Sequence, residues 1–197
     1  MQQNHNFIMR HFFLFTLFLL TSLSFAQNPC DISANVTDSI GTYQATKPYL
    51  VYERNFGDDK SYLYLSMAIT DGTPTLNFQH IRKSKSFMVA ECFNSSSRLY
   101  LQLQNGKVIT MVYADQGDCG TSVRSEDGYS NRILSANFYF TKGTLQDLKD
   151  SPINFIRVKY ASANTNFIFK SSLKSEFDGL SYEPETYFQR LLTCLKL

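Results

Sequence analysis

The chain has 197 residues, 43% hydrophobic and 18% charged, with 17 Phe, 12 Tyr and no Trp. That length suits one sizeable core rather than two, and 9 Gly with 5 Pro excludes a low-complexity or disordered composition. A net charge of only +2 lacks the basic excess that nucleic-acid binding requires, so no nucleic-acid partner is expected.

Residues 1–26 read as a secretory signal peptide. Arg10 precedes an apolar run from Phe12 to Leu20 that only Thr16 interrupts, and Ser24 and Ala26 supply small residues at the −3 and −1 positions of a cleavage site. The run falls short of the roughly 20 apolar residues that span a bilayer. No later stretch approaches that length, which predicts a secreted or periplasmic protein with no transmembrane segment in its mature chain. Residues 27–197 form the expected single domain. All four cysteines, Cys30, Cys92, Cys119 and Cys194, lie in it. An even number in an exported chain predicts two disulfides, and none of the gaps resembles a zinc-type Cys-x-x-Cys pair. The spacing leaves the pairing open.

From Lys47 to Lys170 short β-prone runs alternate with turn residues. Tyr49 to Arg54 and Tyr62 to Ile69 read as one hairpin. Thr75 to Ile81 and Phe87 to Phe93 read as a second, with Arg82-Lys83-Ser84-Lys85 as its solvated tip. Arg98 to Gln104 puts Leu99, Leu101 and Leu103 on one face, and Asn105-Gly106 before Lys107 to Tyr113 is the dipeptide of a type I′ hairpin turn. Asp115 to Tyr129, with three glycines, reads as a long loop. Ile133 to Phe140 resumes the strand pattern. Thr144 to Lys149 reads as a short helix with Thr144 as N-cap, before strands over Ile153 to Tyr160 and Asn166 to Phe169. Glu183-Pro184-Glu185 opens a C-terminal helix whose Phe188, Leu191, Leu192 and Leu195 share one face. The expected fold is mainly β: an antiparallel sandwich or barrel of roughly eight to ten strands closed by a C-terminal α-helix.

Chemistry is sparse. His80 is the only histidine after residue 26, so an imidazole-based triad must use it and a His-based zinc site lacks ligands. Its place beside a hairpin tip predicts an exposed or half-buried strand histidine. No nucleophile elbow, phosphate-cradling loop or dinucleotide fingerprint is present, and no cofactor is expected. Glu53 and Glu91 interrupt β-prone runs and are the acids to consider for a carboxylate-dependent, glycosidase-like hydrolase. Asp115, Asp118, Glu126 and Asp127 fall in one glycine-containing loop and are the candidates for calcium, without the spacing of a known calcium loop.

Several stretches resemble small secreted proteins of unknown function common in Bacteroidota. Cys30 followed by Asp38-Ser39-Ile40-Gly41-Thr42 is similar to their opening, and Arg98 to Ile109 to their strand, Asn-Gly-Lys turn and strand. Asp118-Cys119, the segment Leu145 to Arg157, and the ending Tyr187-Phe188 with Leu191 to Leu195 are similar to later parts. The resemblance covers most of the mature chain. It implies export and supplies no activity; within that phylum Asp38-Ser39-Ile40 matches an O-glycosylation pattern with Ser39 as acceptor. Asn35-Val36-Thr37 and Asn94-Ser95-Ser96 are N-glycosylation sequons, meaningful in a eukaryotic secretory route. The expected role is a non-catalytic exported β domain with a binding or cell-envelope function and an envelope or glycan partner. The hydrolase is the alternative, and a small-molecule carrier is a third reading.

Overall fold

The computed structural model describes residues 31–195. The segment read as a signal peptide, its expected cleavage site and Cys30 lie outside them. The described residues form a mainly β domain of β-sandwich character, with an 11-stranded antiparallel sheet, a two-stranded ribbon and a short C-terminal helical segment.

In chain order the strands are β1 (Ile32–Thr37), β2 (Thr42–Thr46), β3 (Tyr49–Phe56), β4 (Asp59–Thr70), β5 (Thr73–Ser84), β6 (Arg98–Leu103), β7 (Val108–Tyr113), β8 (Thr121–Arg124), β9 (Ser130–Phe140), β10 (Ile153–Lys159), β11 (Asn164–Ile168), β12 (Leu173–Lys174) and β13 (Ser181–Tyr182). Helix α1 is Thr144–Asp150; a 3-10 turn, Pro184–Thr186, leads into α2, Tyr187–Leu191.

Three long strands, β4, β5 and β9, run side by side through the sheet. At one end β3 pairs with β4 and β8 with β9; at the other β2 takes the same edge of β4 and β7 the same edge of β9. From β7 the order continues through β6 and β10 to β11. The sheet folds back so that Phe167 of β11 meets Tyr52 of β3 and Phe78 and His80 of β5 edge-on. The main apolar core fills the fold, with Leu63, Leu65, Leu76, Phe78, Leu99, Leu101, Phe138, Ile156 and Val158 all fully buried, and Leu50, Tyr62 and Leu173 form a smaller cluster apart from it. Leu148, Phe188 and Leu192 close the end near Phe140, where Phe140 and Phe188 meet at right angles.

Several expectations need correction. Two strands precede Lys47, where none was expected. The predicted Phe87–Phe93 strand is absent: Phe93 alone makes a bridge, to Asp118, and β5 turns instead to β4 and β9. The long loop contains β8. The turn with two successive positive φ angles is Asp71-Gly72 (φ 48° and 76°), joining β4 to β5. At Asn105-Gly106 only Gly106 is left-handed, with Gly106 N–H donating to Leu103 O and Leu103 N–H to Lys107 O. This is the three-residue loop in which glycine takes the bulge position. Thr144 does not cap α1; Gly143 does, with φ 85°, and the Thr144 hydroxyl donates to Thr141 O. The C-terminal helix is shorter than its apolar stripe suggests, but Phe188, Leu192 and Leu195 are buried as expected.

Candidate functional site

Residues paired across an antiparallel sheet share a face, so register decides which side chains meet. On the inner face Tyr52, Leu63, His80 and Leu134 form one row across β3, β4, β5 and β9. The next row toward the open end is Arg54, Ser61, Arg82 and Arg132. The interior therefore changes from apolar to cationic in one step.

A bulge in β3 makes this possible. Leu50 pairs with Tyr64 and Tyr52 with Leu63, so Val51 is an extra residue that reverses the alternation beyond it. Tyr49 and Tyr52 both face inward. Arg54 then faces inward beside Ser61, and Glu53 faces outward beside Tyr62.

The segment after β5 folds over this cationic row. Arg54, Asp59, Ser61, Arg82, Ser84, Ser86, Phe87, Met88 and Val89 line a cleft of about 370 Å³. Phe87 is 92% and Val89 69% exposed, which gives the cleft an apolar lip. Arg82 Nη2 donates to Val89 O at 2.6 Å, and Ser84 Oγ donates to Asp59 Oδ1 at 2.5 Å. Arg54 stacks against Phe56 and makes no salt bridge among the described residues.

His80 lies directly beneath the cleft and is 4% exposed, so the expectation of an exposed or half-buried histidine is overturned. Its parity on β5 matches Phe78, which turns it into the core. Ser61 Oγ stands 2.9 Å from His80 Nε2. On the other side of the ring, Nδ1 lies 3.3 Å from Glu91 Oε2 and 3.4 Å from the Tyr160 hydroxyl. Glu91 Oε2 also lies 3.6 Å from Arg82 Nε, while Thr165 Oγ1 donates to Oε1. Glu91 Oε2 is buried and receives no well-directed hydrogen bond, so it meets His80 and Arg82 by proximity rather than by aligned N–H donors. Burial raises the Glu91 pKa, but His80 and the Arg82 charge outweigh it and hold the carboxyl below its usual range. Burial first, then Glu91, pushes the Tyr160 phenol well up.

Glu91 is placed by covalent and backbone contacts rather than by a strand. Cys92 is disulfide-bonded to Cys119, which settles that part of the pairing. Phe93 bridges Asp118, and Ala161 N–H donates to Cys92 O. Cys194 is also disulfide-bonded.

The two acids singled out in the sequence do not meet. Glu91 is on the inner face with His80, and the Val51 bulge sends Glu53 to the outer one. There Glu53 Oε1 accepts from Asn55 Nδ2 at 2.7 Å, and the same nitrogen donates to Glu176 Oε2 at 2.9 Å. Glu176, distant in sequence and delivered by the β12 region, was not legible as a partner.

The loop acids disperse. Asp115 binds the Asn137 backbone and side chain, Asp118 accepts from Gly120 N–H, Asp127 takes Ser125 and Lys83, and Glu126 is exposed. The hydrogen bond from Ser125 and the Lys83 ammonium hold the Asp127 carboxyl down at about 2. No group of three or more potential metal ligands occurs among the described residues. The basic run is paired rather than a free tip: Arg82 with Glu91, Lys83 with Asp127 and Lys85 with Asp58. Ser39 is exposed in a turn that Asp38 closes by accepting from Ile40 and Gly41 N–H. No helix among the described residues is long and apolar enough to cross a membrane.

No family model, curated protein or solved structure matches this chain.

Proposed function

We propose that the mature domain is an exported, secreted or periplasmic binding module whose cleft takes an anionic group carried on an apolar body. The observation that carries this reading is the Arg54, Ser61 and Arg82 row, in which Arg54 is left without an acidic partner among the described residues. Guanidinium groups recognise carboxylates and phosphates through paired N–H donors. The serine hydroxyls add donors, and Phe87, Met88 and Val89 supply an apolar wall. An amphiphilic envelope carboxylate or phosphate fits that chemistry better than a neutral glycan. Calorimetric titration of the mature chain with decanoate, decyl phosphate and decanol tests it. The two anions bind, decanol does not, and Arg54→Gln or Arg82→Gln weakens binding about tenfold, which is about 1.4 kcal/mol. Equal binding of decanol, or no binding of either anion, sinks the reading.

A second reading rests on Glu53 and Glu176. Their shared contact to Asn55 brings two carboxylates together in an outer-face pocket of about 270 Å³ with Lys170 and Lys174. Retaining glycosidases use acids about 5 Å apart. Hydrolysis of a chromogenic glycoside that Glu53→Gln and Glu176→Gln both abolish would favour this reading over a binding module.

A further inference from the structure

His80 occupies a position that an aliphatic side chain would fill at lower cost. Its neighbours in the row are Tyr52, Leu63 and Leu134, and Phe78 and Phe167 pack on its ring. A polar group buried in such surroundings is retained only with its partners in place. The partners divide between the two ring nitrogens, with the Ser61 hydroxyl on Nε2 and both the Glu91 carboxylate and the Tyr160 hydroxyl on the side of Nδ1. With its proton on Nδ1, on the side of Glu91 and the Tyr160 oxygen, the neutral ring turns its Nε2 lone pair to the Ser61 hydroxyl. Ser61 is partly exposed and lines the cleft, so the hydroxyl end of the chain of groups opens to it.

We propose that Ser61, His80 and Glu91 form a nucleophilic relay that cleaves carboxylic esters bearing an anionic group, with Ser61 as the acyl acceptor. The choice of an anionic ester rests on the reading of the cleft above, whereas the relay rests on the contacts of His80. Ser61 Oγ bonds to the carbonyl carbon as its proton passes to His80 Nε2. The ester C–O bond breaks, and that proton leaves on the alcohol. Water then attacks the acyl-Ser61 carbonyl and gives one proton to His80, which returns it to Ser61 Oγ as the carboxylic acid departs. Glu91 is a positioning residue that holds the imidazole and stabilises its charge. Backbone N–H groups in the middle of a sheet are committed to the ladder. The positive groups available to the carbonyl oxygen are Arg54 and Arg82, which flank Ser61 in register.

The test uses the mature chain with a fluorophosphonate probe, read by intact mass and peptide mapping, and with the p-nitrophenyl hemiester of succinic acid. One adduct forms, on Ser61, and hemiester turnover disappears in Ser61→Ala. His80→Gln lowers both rates at least a hundredfold, within the range for loss of a general base. Glu91→Gln lowers kcat more than it raises KM. Because His80→Gln could unfold the core, Ser61→Cys provides an independent measure: its iodoacetamide alkylation at pH 6 is more than tenfold faster than that of Ser135→Cys, on an exposed strand position. Absence of an adduct, an adduct that persists in Ser61→Ala, or equal alkylation of the two cysteine variants overturns the relay. Decanoate binding without an adduct rejects the relay and keeps the cleft; an adduct without decanoate binding does the reverse.

Discussion

Glu91 Oε2 stands 3.3 Å from His80 Nδ1, and the residue after Glu91 is one half of a disulfide. A segment with almost no strand pairing thus delivers a carboxylate to a buried imidazole, because Cys92, Phe93 and Ala161 leave it little freedom. The contact ties the pH dependence of stability to the same group. The Glu91 pKa is lowered in the fold, so its contribution is present above the unfolded carboxyl value of about 4.3 and is lost as pH falls through the lower folded value. Glu91→Gln should cost about 1–3 kcal/mol near neutral pH, since it leaves Arg82 and His80 facing a neutral amide. Denaturant melts from pH 6 down to pH 3 check this, with the gap between wild type and variant narrowing toward acid.

Removing the disulfide as Cys92→Ala with Cys119→Ala should cost about 2–4 kcal/mol, given the 27-residue separation. The effect should also be local. Amide exchange should rise first at Phe93 and Asp118, whose mutual backbone bonds hold the segment in place.

Gly120 has a positive φ of 68°, and a Cβ there would sit 2.3 Å from Ile133 O. Gly120→Ala therefore meets rigid backbone in a conformation that L residues avoid, and should cost about 2 kcal/mol or more. Gly106, with φ 88°, meets nothing within 4 Å. Gly106→Ala should cost about 1 kcal/mol. Thermal melts of the pair check the ordering.

Burial pushes the Tyr187 and Tyr160 phenols well above their usual value. Their contribution is present below the unfolded value of about 10 and is lost as pH rises through the folded values. Phenolate absorbance should therefore rise gradually for exposed tyrosines and then in a sharp step that coincides with loss of β-sheet circular dichroism. A single smooth titration with no accompanying unfolding would contradict this.

Local pattern made much of the sheet legible. The alternation of Leu99, Leu101 and Leu103 marks a buried face because a strand's side chains have a period of two, and all three are buried. Alternation does not run unbroken through β3, since one extra residue at Val51 reverses parity between Tyr49 and Tyr52 and leaves no trace in composition. The strand pattern failed over Phe87 to Phe93, where β-prone residues have no free strand edge to pair with because β4 and β9 already occupy both sides of β5. The short C-terminal helix kept its apolar face but not its length.

Composition and periodicity by themselves determined a β-rich chain with one main apolar core, since both are properties of neighbouring residues. The meeting of Ser61, His80 and Glu91, of Glu53 with Glu176, and of Cys92 with Cys119 was decided only by the tertiary structure. Cross-strand register, a bulge and the return of the chain over an open sheet end set those distances, and each depends on which strands have already claimed which edges.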